Sequence, residues 1–375
     1  MRTDGASRPG VIPSQGLRAL IASGVIAASP AVLPAQIQPA SIDLRLGRRA
    51  WRVRASFLPG ARRVEDRLAE FAMHEIDLAD GAVLETGCAY VVELAERLRL
   101  PGDVAGAANA KSSTGRLDLL TRLVTDNATA FDVVEPGYEG PLYAQISPCT
   151  FSVLVRPGIT LSQLRLRHGD PRLDDAGLGA LHASDPLVDG EPVIDAGLGF
   201  SVDLRGGRAR EGPLGWRARR HSGLIDLSRL AAYDPLEFWE PVRPFDGPGD
   251  GRSGGGVILD PGAFYILVSR EAVAVPPHTA AEMVPYMAVA GEFRVHYAGF
   301  FDPGFGHRST GGSGSRGVLE VRCHEAPFAL EHGQTVGRLV YEQMVEVPDL
   351  LYGRDIGSNY QGQSLRLSKH FRPLP

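Results

Sequence analysis

Two short stretches of this chain hold side chains that could do chemistry together. Lys111-Ser112-Ser113-Thr114-Gly115-Arg116 packs two cations and three hydroxyls into six residues, after the small-residue run Ala105-Gly106-Ala107-Ala108-Asn109-Ala110. Such a stretch can aim hydroxyls, backbone N–H groups and a guanidinium at phosphate oxygens. The same letters also spell an ordinary capped helix start. In Gly317-Val318-Leu319-Glu320-Val321-Arg322-Cys323, strand alternation puts Val318, Glu320 and Arg322 on one face. A glutamate there can accept and return a proton, or merely solvate the surface of a sheet.

These stretches belong to a frame that occurs twice. Glu135-Pro136-Gly137-Tyr138 leads to Leu142-Tyr143-Ala144-Gln145-Ile146, and Asp302-Pro303-Gly304-Phe305 leads to Val318-Leu319-Glu320-Val321. Gly87 and Gly262, Pro101 and Pro276, Gln145 and Glu320, and Gly158 and Gly333 all keep one spacing of 175 positions (320 − 145). A constant offset of this kind marks a duplication. Glu135 and Asp302 are 167 apart (302 − 135), so eight residues have entered the second copy, as a flexible insertion within Gly306 to Gly314. Ala40-Ser41-Ile42-Asp43-Leu44-Arg45-Leu46-Gly47 is echoed by Phe200-Ser201-Val202-Asp203-Leu204-Arg205-Gly206-Gly207. The copies are unequal: one has glutamine where the other has the acid, and Pro285-Tyr286-Met287-Ala288-Val289-Ala290 replaces the cationic stretch in the second. Glutamine can hold a ligand, but only the carboxylate can move protons.

The elements expected to position these residues are strands. Ile42, Leu44 and Leu46 alternate with Asp43, Arg45 and Gly47, while Ala89 to Glu93 and Ala263 to Val268 are β-branched and aromatic runs introduced by glycine. One helix is expected after Ser14-Gln15-Gly16, with a serine cap. His168 to Asp175 ends the first copy, the stretch from there up to about Asp185 reads as a connector, and Phe245 to Gly256 reads as loop. With 375 residues, 43% hydrophobic, the chain can bury two cores, and 45 glycines with 28 prolines suit many short strands joined by tight turns. The expected organisation is all-β, with a first domain over 1–175 and a second over 176–375.

A net charge of −5 gives no basic field to draw nucleic acid or an anionic membrane. Three scattered cysteines suit a reducing compartment, and Leu17 to Pro34 is too interrupted for a signal peptide or a membrane span, so a cytoplasmic protein is expected. A catalytic zinc site of the hydrolytic kind would need an H-x-E and a P-C-x-x-C arrangement. Pro148-Cys149 lacks the second cysteine and His324-Glu325 is adjacent, so no zinc site is expected. Of the ten histidines, His296 stands nearest the second-copy hairpin, where packing is the simpler account of it.

Taken together, the motifs resemble those of the dCTP deaminase family, trimeric relatives of the dUTPases. Gln38 to Gly47 is similar to the family's early strand, and Lys111 to Arg116 to its R-S-S-x-x-R phosphate motif with lysine in first place. Tyr297-Ala298-Gly299-Phe300-Phe301-Asp302-Pro303-Gly304-Phe305 resembles the hairpin around the base, and Gly317 to Glu320 the strand with the catalytic glutamate. Tyr352-Gly353-Arg354 and Asn359-Tyr360-Gln361-Gly362-Gln363 resemble the segment that closes over the triphosphate, with asparagine where the family usually has lysine.

The resemblance implies two tandem dUTPase-like domains, of the β-clip or distorted jelly-roll kind, with a few short helices. It implies deamination of dCTP to dUTP and ammonia, with Glu320 as proton shuttle and Ser112 and Arg116 orienting water and substrate. Lys111 and Ser113 would hold phosphates, Ala298 and Asp302 would shape the base and sugar pocket, and Tyr352, Asn359 and Gln363 would close the site. Mg²⁺ is expected to arrive bound to the nucleotide. In the single-domain family the serine-arginine motif and the glutamate come from neighbouring subunits. Here each survives in one copy, which implies a composite site, a silent Gln145 copy and association of chains into a homo-oligomer. A bifunctional deaminase/dUTP diphosphatase and a nucleotide sensor without turnover are the alternatives.

Overall fold

The computed structural model describes residues 8–205, 213–244, 256–285, 293–295, 299–355 and 365–373. The chain is built from strands, as expected. The longest helix among the described residues, Asp175–Ser184, has ten residues, and none is long and apolar enough to cross a membrane. In the first repeat seven strands follow one path: Leu119–Thr125, Glu139–Pro148, Ala89–Arg99, Ile42–Val53, Thr160–His168, Val104–Ala110 and Val133–Val134. The second repeat forms two larger sheets. One runs Leu198–Ser201, Thr335–Gln343, Thr279–Pro285, Phe300–Phe301; the other runs Trp239–Val242, Gly215–Ala218, Phe264–Val273, Ser315–Cys323, Phe293–Val295.

The duplication recurs in the geometry. Gln145 pairs with Val91 and Glu320 with Ile266, positions that share the 175-residue offset. The Glu85 amide donates to the Tyr90 hydroxyl at 3.0 Å, and the Asp260 amide to the Tyr265 hydroxyl at 2.9 Å. Gly87 and Gly262 take φ of 74° and 68°, and Gly158 and Gly333 take 87° and 81°. Both copies therefore need glycine at these turns for the same reason, a left-handed backbone.

Strand alternation then divides the core. In Phe264–Val273, Tyr265 and Leu267 face the second repeat's own interior with Phe200, Leu319, Val321 and Tyr341. Phe264 and Ile266 point the other way and join Trp216, Trp239, Val318 and Phe371 in a cluster continuous with the first repeat's core. Ile225–Asp226 even extends a first-repeat ladder by pairing in parallel with Val153–Val155. One face of the second repeat's five-stranded sheet is thus buried by the first repeat. Glu320 lies on that face.

Three local expectations change. The connector up to Asp185 contains the helix Asp175–Ser184, started by the Asp174 carboxylate accepting from the Gly177 amide at 2.8 Å. The helix Ser14–Ala22 forms without a side-chain cap, because the cap position is Pro13 and Ser14 is the first helical residue, where its hydroxyl donates to Asp349. The base of the insertion after Gly304 is packed, while Arg308, Ser309, Gly311 and Ser313 are exposed: His307 is 5% exposed and contacts Asp185 at 2.9 Å, and a Cβ at Gly306 (φ 62°) would lie 2.3 Å from Val273 O. Glu320 is not a surface carboxylate. The Phe245 to Gly256 loop falls almost wholly outside the described residues.

Candidate active site

Lys111 to Arg116 begins where the strand Val104–Ala110 ends. Four residues, Ser112–Gly115, form one helical turn whose N-cap, Lys111, gives no side-chain cap. The Lys111 ammonium instead donates to the Asp43 carboxylate and to Thr160 Oγ1, the latter at 3.0 Å. Asp43 is 5% exposed, and burial raises its pKa while Lys111 pulls it down. Ser112 is exposed at the start of the turn, whereas Ser113, Thr114 and Arg116 are buried. A cleft of about 200 Å³ beside the turn is lined by Ser113, Thr114, Thr160, Lys369 and His370 among others.

The last described segment, 365–373, crosses this turn. Ser368 Oγ donates to Ser113 O at 2.8 Å and Arg116 Nη1 donates to Arg366 O at 2.9 Å. Phe371 anchors the segment edge-on to Phe238 and Trp239, so the tail is held by aromatic packing as well as by these bonds. The guanidinium of Arg116 is thereby aimed at the second repeat.

There it meets Glu320. Arg116 Nε lies 3.9 Å from Glu320 Oε1, with both side chains 5% exposed or less. That distance is within reach of an ion pair once Glu320 ionises and too long for a hydrogen bond, so the carboxylate form is attracted without being locked. Burial pushes the Glu320 carboxyl up to about 8, more than Arg116 pulls it back. A carboxyl that can hold or release a proton near neutral pH, beside a fixed cation, is suited to acid–base work.

The Asp302 hairpin approaches the same motif from its Lys111 side. Asp302 is pushed up to about 6 by burial, against Arg165 3.8 Å away and a hydrogen bond from the Ala40 amide. Arg165, 1% exposed, donates to Glu342 at 2.9 Å and lies 4.0 Å over the Phe300 ring, tying the first repeat's strand to the hairpin. Tyr352 packs on Phe305 of the hairpin at 5.5 Å, and its amide donates to Pro303 O at 2.9 Å. Ala298, Asn359 and Gln363, with His296, lie outside the described residues.

The first repeat's counterpart is sealed. Gln145 is 5% exposed, donates to Ser56 Oγ and accepts from the Phe57 amide at 3.3 Å, beneath the cluster of Phe57, Leu68 and Tyr143. Sequence reasoning missed Asp43, Thr160 and Ser368 as partners of the motif, and Arg165 as the cation beside the Asp302 hairpin. Only the Asp43 strand had drawn notice, as a repeat mark.

Two family profiles match this chain. The N-terminal domain of 2'-deoxycytidine 5'-triphosphate deaminase covers residues 8–170, and the C-terminal domain covers 174–371. A dCTP deaminase of Halorubrum lacusprofundi is 31% identical over 132 residues, 34% of this chain and 62% of that one. A dUMP-forming dCTP deaminase of Beutenbergia cavernae is 31% identical over 155 residues, 41% of this chain and 77% of that one. The crystal structure of 2'-deoxycytidine 5'-triphosphate deaminase from Agrobacterium tumefaciens superposes with a TM-score of 0.83 at 52% identity, covering 90% of this chain and 99% of that one. The chain belongs to the dCTP deaminase family.

Proposed function

We propose that this protein hydrolyses dCTP to dUTP and ammonia at a site shared by its two repeats, with Glu320 carrying the protons. The observation that carries this reading is the approach of Arg116 to a buried Glu320 whose proton is held to about pH 8. At neutral pH the carboxyl starts in its acid form and gives its proton to N3 of the cytosine. Water then attacks C4 and returns a proton to the carboxylate. That proton passes to the amino nitrogen, the C4–N bond breaks, and the C4 hydroxyl gives its proton back to Glu320 as ammonia leaves. One group serves each transfer and ends as it began.

Ser112 and Arg116 orient water and base in this reading, and Lys111 and Ser113 hold phosphate oxygens. Asp302 and Ala298 shape the sugar and base pocket, while Tyr352, Asn359 and Gln363 close over the triphosphate. Mg²⁺ enters with the nucleotide as part of the substrate. The repeats divide at 175/176, and chains associate because two dUTPase-like units do not complete a threefold ring.

A second reading has one observation in its favour: several relatives are dUMP-forming dCTP deaminases, at 30–35% identity. Incubation with Mg·dCTP and measurement of ammonia, dUTP, dUMP and pyrophosphate separates the two. Ammonia with dUTP supports the first, dUMP with pyrophosphate supports the second, and binding without turnover overturns both. With the acid form required at the start, kcat/KM is expected to fall above about pH 8. A profile that rises through that region counts against the stated order of transfers.

A further inference from the structure

The strand that carries Glu320 makes a second ion pair across the same boundary, with its charges reversed. Two residues beyond Glu320 and on the same face, Arg322 donates through Nη2 to the Asp118 carboxylate and to Thr150 Oγ1 at 3.0 Å. Its Nη1 donates to Gly262 O at 3.0 Å, which ties the guanidinium to its own repeat. Two residues beyond Arg116, Asp118 is 1% exposed and takes φ 53°, a left-handed conformation uncommon outside glycine and its few substitutes. The Cys149 amide donates to Asp118 O at 2.9 Å and Thr150 Oγ1 donates to Asp118 Oδ2 at 2.5 Å.

The order of charges limits how the two repeats can meet. The first repeat presents Arg116 and then Asp118, and the strand presents Glu320 and then Arg322. A slip by one strand period would bury Arg116 against Arg322, with little water to screen two cations, and would leave Asp118 without its cation. Only the observed alignment pairs both.

We propose that Asp118, Arg322 and Thr150 form a positioning clamp that selects Glu320 as the residue Arg116 meets. Its kinetic consequence rests on the function proposed above, but the clamp is a contact between repeats and can be measured without turnover. None of the three residues needs to touch substrate.

The test compares Arg322→Met, which keeps much of the stem, with Arg322→Lys, which keeps the charge. With Mg·dCTP, Arg322→Met is expected to lower kcat roughly 10- to 10²-fold, the scale of about an ångström of misplacement. KM should stay within about threefold of the wild type, and Arg322→Lys should recover most of the loss. In parallel, hydrogen exchange should quicken in Arg322→Met at residues 116–118 and 320–322 while Thr335–Gln343 keeps its protection. A wild type without deamination sinks the functional reading, and exchange then still decides the clamp. Unchanged exchange at both segments, kcat within about twofold of the wild type, or a loss that Arg322→Lys does not relieve overturns the proposal. Should Arg322→Met fail to fold, the near-isosteric Thr150→Val is read by the same exchange and the same kcat-against-KM split, and no change in either overturns it.

Discussion

Replacing Glu320 by glutamine is expected to disable the protein and stabilise it at the same time. In the folded chain burial lifts this carboxyl from 4.5 to about 8, with the attraction of Arg116 already included. In the unfolded chain it titrates near its ordinary value. Between those values the unfolded chain has released the proton and the folded chain still holds it, so rising pH favours unfolding. Each pKa unit is worth about 1.4 kcal/mol, which sets a ceiling of roughly 5 kcal/mol on the full effect. Glutamine has nothing to titrate. The stability difference between wild type and Glu320→Gln should therefore be flat with pH below about 4.5, should shift toward the variant by roughly 2–5 kcal/mol by pH 8, and should be flat again above. Urea unfolding at a series of pH values measures this difference directly. A difference that is flat with pH, or that favours the wild type as pH rises, refutes the assignment of a buried, proton-retaining carboxyl. Turnover of dCTP by the same variant is expected to fall roughly 10²- to 10⁴-fold with nucleotide binding largely kept. Near-normal turnover removes Glu320 from the mechanism.

Three further substitutions probe the asymmetry of the repeats. Gln145→Glu should create no second active site, and should cost roughly 1–3 kcal/mol, because a carboxylate cannot donate to Ser56 Oγ from this buried position; product assays and thermal unfolding check both parts. Lys111→Met should raise KM for dCTP more than for dCMP, while stripping Asp43 of its cation; equal effects on the two nucleotides would remove Lys111 from phosphate binding. Arg165→Met leaves Glu342 and Asp302 without their shared buried cation and should destabilise the chain by roughly 3–5 kcal/mol in denaturant titration.

Local pattern was enough to find the strands. Val318, Glu320 and Arg322 alternate away from Leu319 and Val321, and the structure keeps that division, with the odd positions in the second repeat's own core. The glycine pairs that mark the repeat sit at turns with a left-handed backbone, a requirement that leaves a direct trace in residue choice. Partners were harder to read. Ser14 looked like a cap and bonds to Asp349, and Lys111 looked free to meet a ligand and is engaged by Asp43 and Thr160. Asp118 gave no signal at all. Each of these contacts joins residues far apart in the chain, and periodicity carries no information about which distant strand arrives.

The sequence by itself determined two unequal copies of one β frame, with the cationic serine motif kept in one and the acid kept in the other. That much follows from spacing and residue type, since glutamine cannot do what glutamate does. Tertiary structure decided that Arg116 and Glu320, 204 positions apart (320 − 116), lie 3.9 Å from each other within one chain. It also decided that Glu320 is buried deeply enough to keep its proton to about pH 8. Proximity and desolvation belong to the packed interface between the repeats, because an ionisable group takes its proton affinity from what surrounds it.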